Sequence, residues 1–257
     1  MKKLMLTLLA AAMILAPAVA QNRVKYLSTS TASLNVQELN VADQTVQINR
    51  ILFAGYNTLC LPMTLSAEQL QAAAKDVRVE RLAAMREEGT TLSLYFVDCT
   101  AEGIQAGVPY LIFSPTMQNL RARTTDAQGI STDLQTISLT DNVGNRISFN
   151  SSYASVTGNG RRYGIPAKQD VEVLESVLLP TDGEKTFLPT RCGITWEQQG
   201  AATTLEVKHA MAEDITAINA VNGTRAESVV YDLSGRRVAG NAHNGIFVVD
   251  GKKKAIK

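Results

Sequence analysis

Leu92-Ser93-Leu94-Tyr95-Phe96-Val97 alternates without a break: Leu92, Leu94 and Phe96 fall on one face of an extended chain, and Ser93, Tyr95 and Val97 on the other. That period of two is the mark of a strand with one buried face. The same period recurs downstream. Ile137 and Leu139 precede the turn-rich Asp141-Asn142-Val143-Gly144-Asn145, and Ile147 and Phe149 follow it, which predicts a hairpin. Val171, Val173 and an apolar run to Leu179 lead into Pro180-Thr181-Asp182-Gly183, with Phe187 and Leu188 opening a returning strand. Ile246-Phe247-Val248-Val249 runs into Asp250-Gly251, a strong two-residue turn signal because both positions tolerate positive φ.

One segment reads as a helix. Ser66 is an N-cap with Gln69 three residues on, which makes a capping box, and the body to Lys75 is rich in Ala, Gln, Glu and Leu. Val77-Arg78-Val79-Glu80-Arg81-Leu82 then alternates like a strand; a helix continuing through Met85 is the rival reading. Many short strands separated by turns predict a mainly β fold of antiparallel sheets in a sandwich or barrel-like arrangement, with one short helix and a small C-terminal β segment.

The N-terminus carries an export pattern. Lys2 and Lys3 are a positive start, residues 4–15 are apolar except Thr7, Pro17 breaks the helix, and Ala18-Val19-Ala20 is a cleavage site ahead of Gln21. The expected organisation is a signal peptide over residues 1–20, a β-rich main domain over 21–212 and a C-terminal segment over 213–257. No later run approaches the roughly 18 apolar residues of a membrane helix. Without Lys2 and Lys3 the 25 basic residues become 23, against 24 acidic ones. That balance argues against a nucleic-acid partner, which calls for a basic face. An exported chain meets oxidising conditions, yet Cys60, Cys99 and Cys192 are an odd set, each among apolar neighbours, so buried thiols are expected with no disulfide essential to the fold.

Two segments resemble a known family. Gly55-Tyr56-Asn57-Thr58-Leu59-Cys60-Leu61-Pro62-Met63, followed by the helix, a strand and Ile104-Gln105-Ala106-Gly107-Val108-Pro109-Tyr110-Leu111-Ile112, is similar to a TLCLPF … AGxPYLI pattern of surface and secreted proteins of the Bacteroidota. Val230-Tyr231-Asp232-Leu233-Ser234-Gly235-Arg236-Arg237-Val238, then Gly245-Ile246-Phe247-Val248-Val249-Asp250-Gly251-Lys252-Lys253, resembles their C-terminal ending, which is similar to the sorting domain of type IX secretion. The resemblance implies an exported β-protein and the secretion machinery as a partner. It transfers no catalytic residue. Residues 214–257 are fewer than a full sorting sandwich holds, so the segment is expected to dock on the main domain.

No catalytic, cofactor-binding or metal-ligating set is recognisable in the sequence. His209 and His243 stand apart, without zinc-ligand spacing. A Cys–His nucleophile pair from Cys99 or Cys192 with His209 has no local support, and no nucleophile elbow or phosphate loop is present. The acidic pairs Glu87-Glu88 and Glu213-Asp214 read as solvated turns. The basic clusters Arg161-Arg162, Arg236-Arg237 and Lys252-Lys253-Lys254 read as strand edges that discourage pairing. The expectation is a non-catalytic protein of the cell envelope or extracellular space, structural or interaction-mediating. A glycan- or host-ligand-binding module is the alternative, with envelope glycan as partner and Tyr153, Tyr163 and Trp196 as the ligand surface. A hydrolase with an unfamiliar site is the third class. Aromatics are 5% of the chain, a thin supply of sugar platforms.

Overall fold

In the computed structural model the described residues are 23–29, 33–36, 44–125, 130–165, 178–212, 215, 230–231, 245–249 and 252–256. Ala18, Ala20 and Gln21 of the expected cleavage site lie outside them, as do Val171, Val173, Glu213-Asp214 and His243. The described residues are mainly β, with one short α-helix among their named elements.

The opening stretch is strand β5 (Thr91–Asp98), and Leu92, Leu94 and Phe96 are fully buried, as the alternation predicts. It pairs with β4 (Arg78–Glu88), which carries a bulge between Leu82 and Ala84. β6 (Tyr110–Ser114) and β3 (Gly55–Leu59) extend the sheet on the far side of β4, and β15 (Thr204–Ala210) closes it beside β5. The order is β15-β5-β4-β6-β3. A second five-stranded sheet runs β12-β11-β14-β9-β8, from β8 (Thr136–Thr140), β9 (Arg146–Ser151), β11 (Arg162–Gly164), β12 (Leu179–Thr181) and β14 (Cys192–Glu197). A three-stranded sheet holds β1 (Arg23–Ser28), β2 (Gln44–Leu52) and β7 (Gln118–Thr124).

The sheets share one core. Phe96 of the first meets Phe149 of the second edge to face, ring centroids 5.7 Å apart. Val46, Ile48 and Leu52 of β2 and Leu120 and Ala122 of β7 fill in from the third. Burying a side chain of this size stabilises by about 1.5–3 kcal/mol, so the alternating strands are held by their apolar faces.

The sheets are not purely antiparallel. β15 lies parallel to β5 and β1 parallel to β2, each the outermost strand of its sheet. The hairpin at residues 136–151 forms as expected: Leu139 pairs with Ile147, and Asp141 Oδ1 accepts the Val143 and Asn145 amides to shape the turn. The hairpin expected around Asp182-Gly183 does not. β12 pairs with β11, while β13 (Thr186–Phe187) pairs with β10 (Val156–Thr157). The turn is there, with Asp182 Oδ1 accepting the Glu184 and Lys185 amides, but Gly160 N–H on Thr181 O and Gly158 N–H on Lys185 O draw the two arms to another segment.

Helix α1 (Ala67–Ala73) starts at Ser66 with both capping-box bonds made, and it packs Leu70 and Ala73 inward. The continuation as β4 settles the rival helical reading of residues 77–85. Beyond residue 229, β16 (Val230–Tyr231), β17 (Gly245–Val249) and β18 (Lys252–Ile256) make a three-stranded antiparallel sheet that shares no strand with the others. Among the described residues no helix is long and apolar enough to cross a membrane.

Candidate functional site

Period-two geometry builds a polar face on the three-stranded sheet. β7 buries Leu120 and Ala122 and so must expose Arg121 and Arg123. Register does the rest. Gln47 pairs with Tyr26 on one side and Arg123 on the other, and Asn49 pairs with Arg121. Tyr26, Gln47, Asn49, Arg121 and Arg123 thus share one face. Helix α1 supplies the opposite wall with Gln69, Ala72 and Ala73, anchored where Gln118 both accepts from Lys75 N–H and donates to Lys75 O, each at 2.9 Å. The cleft between them holds about 560 Å³.

A hydrogen-bond chain presets the cleft. Arg123 donates through Nε at 3.1 Å and Nη2 at 2.7 Å to Gln47 Oε1, and Gln47 Nε2 donates to Asn49 Oδ1 at 2.7 Å. The ring of Tyr26 stands 62% exposed at the rim. Among the described residues neither Arg121 nor Arg123 has a carboxylate partner. Chemically, the cleft offers cations and planar amides beside an aromatic face.

A second polar cluster sits inside the curl of the first five-stranded sheet. Glu80 on β4 is buried and accepts from the Tyr56 hydroxyl at 3.0 Å, while its other carboxylate oxygen lies 2.5 Å from His209 Nδ1. The Tyr56 and His209 rings stack, and Arg78 Nη2 reaches the Tyr56 oxygen at 3.4 Å. Burial and the Glu80 carboxylate push the Tyr56 phenol far above its ordinary range, so the ring keeps its proton and stays a donor. Both carboxylate oxygens are engaged, and the cluster acts as a clasp. Among the described residues no three of His, Cys, Asp and Glu assemble as a metal-ligating group.

The residues expected to form a ligand surface do not gather there. Tyr153 is buried, its hydroxyl donating to Leu61 O at 3.1 Å, a carbonyl that also accepts Gly107 N–H at 2.8 Å. Tyr163 and Trp196 do meet, ring centroids 6.3 Å apart, both half-buried on neighbouring strands. Glu87 is not a solvated turn residue: it accepts from Asn145 Nδ2 and from Ala201 N–H, tying β4 to the 141–145 turn. Arg162 is half-buried with its guanidinium over Phe187, whereas Arg161 is exposed. In the C-terminal motif Tyr231, Gly245, Ile246 and Lys252 lie on strands, and Asp232, Leu233, Gly235, Arg236, Arg237 and Gly251 lie outside the described residues.

Sequence reasoning singled out adjacent basic pairs and passed over Arg121-Ala122-Arg123, where alternation puts two cations on one face. Comparison with family models, with curated proteins and with solved structures finds no match.

Proposed function

We propose that this chain is an exported, non-catalytic binding protein of the cell envelope or extracellular space, and that the cleft between α1 and the β1-β2-β7 sheet takes an acidic carbohydrate. The observation that carries the reading is the exposed Tyr26 ring beside two arginines that, among the described residues, have no carboxylate partner. Arginine binds a carboxylate in fork geometry through two parallel hydrogen bonds, which suits a uronic or sialic acid. Asn49 and Gln47 are planar groups that match ring hydroxyls. The apolar face of a pyranose ring can cover Tyr26. Export is supported by the pattern from Lys2 to Ala20, and delivery through a secretion machinery by the resemblance of residues 230–238 and 245–253 to sorting segments.

The test is calorimetric titration with acidic and neutral oligosaccharides of equal length. The expected result is binding of the acidic series only, weakened by salt and lost by tenfold or more in Arg121→Ala, which leaves the Arg123–Gln47 bonds in place and the melting unchanged. Equal binding of the neutral series, or full binding by that variant, overturns it. Mass spectrometry of secreted or envelope material separately tests export, with an N-terminus at Gln21 expected and an intact Met1 in the cytoplasm as the contrary result.

A further inference from the structure

Cys60 follows the last residue of β3 and Cys192 opens β14, so the two cysteines belong to different five-stranded sheets. Where those sheets meet, the two segments run side by side. Cys60 N–H donates to Thr190 O at 3.0 Å, and Cys192 N–H donates to Thr58 Oγ1 at 3.0 Å. Both side chains are fully buried, and each thiol lies near enough to the other to shift its proton affinity. Cys99 is buried elsewhere, its thiol donating to Val79 O at 3.5 Å.

We propose that Cys60 and Cys192 join in a disulfide when the chain folds in an oxidising compartment, stapling one five-stranded sheet to the other, and that Cys99 remains a thiol.

The folded surroundings treat the two sulfurs differently. The neighbouring Cys192 thiol lowers the proton affinity of Cys60 against the burial that raises it, and the buried Arg50 cation adds to the lowering. Cys192 is wholly enclosed, and burial first, then the Cys60 contact, raises its own. Arg50 is fixed by Nη1 on Thr190 O at 2.5 Å, the same carbonyl that receives Cys60 N–H. Exchange starts when one of the two thiolates, here Cys60, displaces one thiol from a small disulfide oxidant and leaves a mixed disulfide. Cys192 then gives up its proton and attacks the Cys60 sulfur, releasing the second thiol. Two cysteine thiols become one cystine, and the oxidant's disulfide becomes two thiols. Because both sulfurs are enclosed in the finished fold, exchange belongs to the stage before the sheets close.

The compartment rests on the export reading, but the chemistry can be tested without it. The chain lacking residues 1–20 is unfolded in reductant and refolded either in oxidised and reduced glutathione or in reductant alone. Thiols are then alkylated under denaturing conditions and weighed by mass spectrometry. The expected result is one alkylated cysteine, Cys99, after oxidative refolding and three after reduction, with a peptide map linking Cys60 to Cys192. The unfolding midpoint of the oxidised form should lie roughly 4–16 °C above that of the reduced form. Cys99→Ser should give the same link and no reactive thiol. Three alkylated cysteines after oxidative refolding, a bridge through Cys99, or an unchanged midpoint overturns the proposal. Failure of the Gln21 N-terminus to appear in exported material would sink the export reading and leave this result standing.

Discussion

His209 and Tyr56 lie ring on ring, centroids 4.2 Å apart and 7° from parallel, although they stand on the two outermost strands of the same five-stranded sheet. A flat sheet would keep them apart by four strand spacings of about 4.8 Å. The sheet therefore curls until its edges meet, and Glu80 on the middle strand holds both rings. Glu80→Ala removes the acceptor of a buried hydroxyl and leaves a cavity. It should cost at least ~2 kcal/mol in urea denaturation. Glu80→Gln keeps an acceptor for Tyr56 and should cost less. His209→Ala, at a half-exposed ring, should cost ~1 kcal/mol.

Ser66 caps α1 through its side chain on Gln69 N–H at 3.2 Å, and Gln69 Oε1 returns the bond to Ser66 N–H at 2.8 Å. Ser66→Ala should lower stability by ~1 kcal/mol, measured by the denaturation midpoint. Because Gln69 also walls the cleft, Gln69→Ala should weaken oligosaccharide binding as well as the cap.

Gly107 has φ +77°, and a Cβ there would run into the Asp133 carbonyl. The backbone cannot retreat, since Gly107 N–H donates to Leu61 O at 2.8 Å and its carbonyl accepts Gln135 N–H at 2.9 Å. Gly107→Ala should cost more than ~2 kcal/mol, beyond the cost of the left-handed φ alone. Gly89, at φ +64° with nothing within 4 Å, is the control. Gly89→Ala should cost only ~1–2 kcal/mol.

Burial raises the Cys99 thiol from 9.0 to about 12, with the carboxylates of Glu102, Asp98 and Glu80 adding to it and Arg81 opposing. The folded chain keeps this proton where the unfolded chain has lost it. The stabilisation is whole below pH 9.0 and disappears as pH rises through about 12. Stability should decline steadily from pH 9.0 upward, and Cys99→Ala should decline less steeply between about pH 9 and 11. Denaturant midpoints taken across that range read the two slopes.

The local features were legible in the sequence. Alternation placed Leu92, Leu94 and Phe96 in the core, the capping box placed α1, and Asp141 to Asn145 placed a hairpin. What failed depended on long-range partners. Nothing near Thr204 says that it lies beside Thr91, 113 residues earlier, and in parallel. Nothing near Cys60 points to Cys192. The arms around Asp182-Gly183 have strand-like ends, yet each found a better partner than the other. Tyr153 reads as an aromatic free to face a ligand, but the folded chain buries it and brings its hydroxyl to Leu61 O, 92 residues earlier. Arg121 and Arg123 were readable from their spacing, but their meaning came from Tyr26 on a strand that period alone did not mark.

The parallel seat of β15 against β5 also fixes an order of events. A chain that emerges N-terminus first can pair β3, β4, β5 and β6 among themselves, because those strands lie within residues 55–114. The edge-to-edge clasp of Tyr56 and His209 must wait for residue 209 to arrive. Loop closure over so long a separation is slow compared with forming a hairpin. The curl is thus completed near the end of folding, and until then the sheet keeps an open margin.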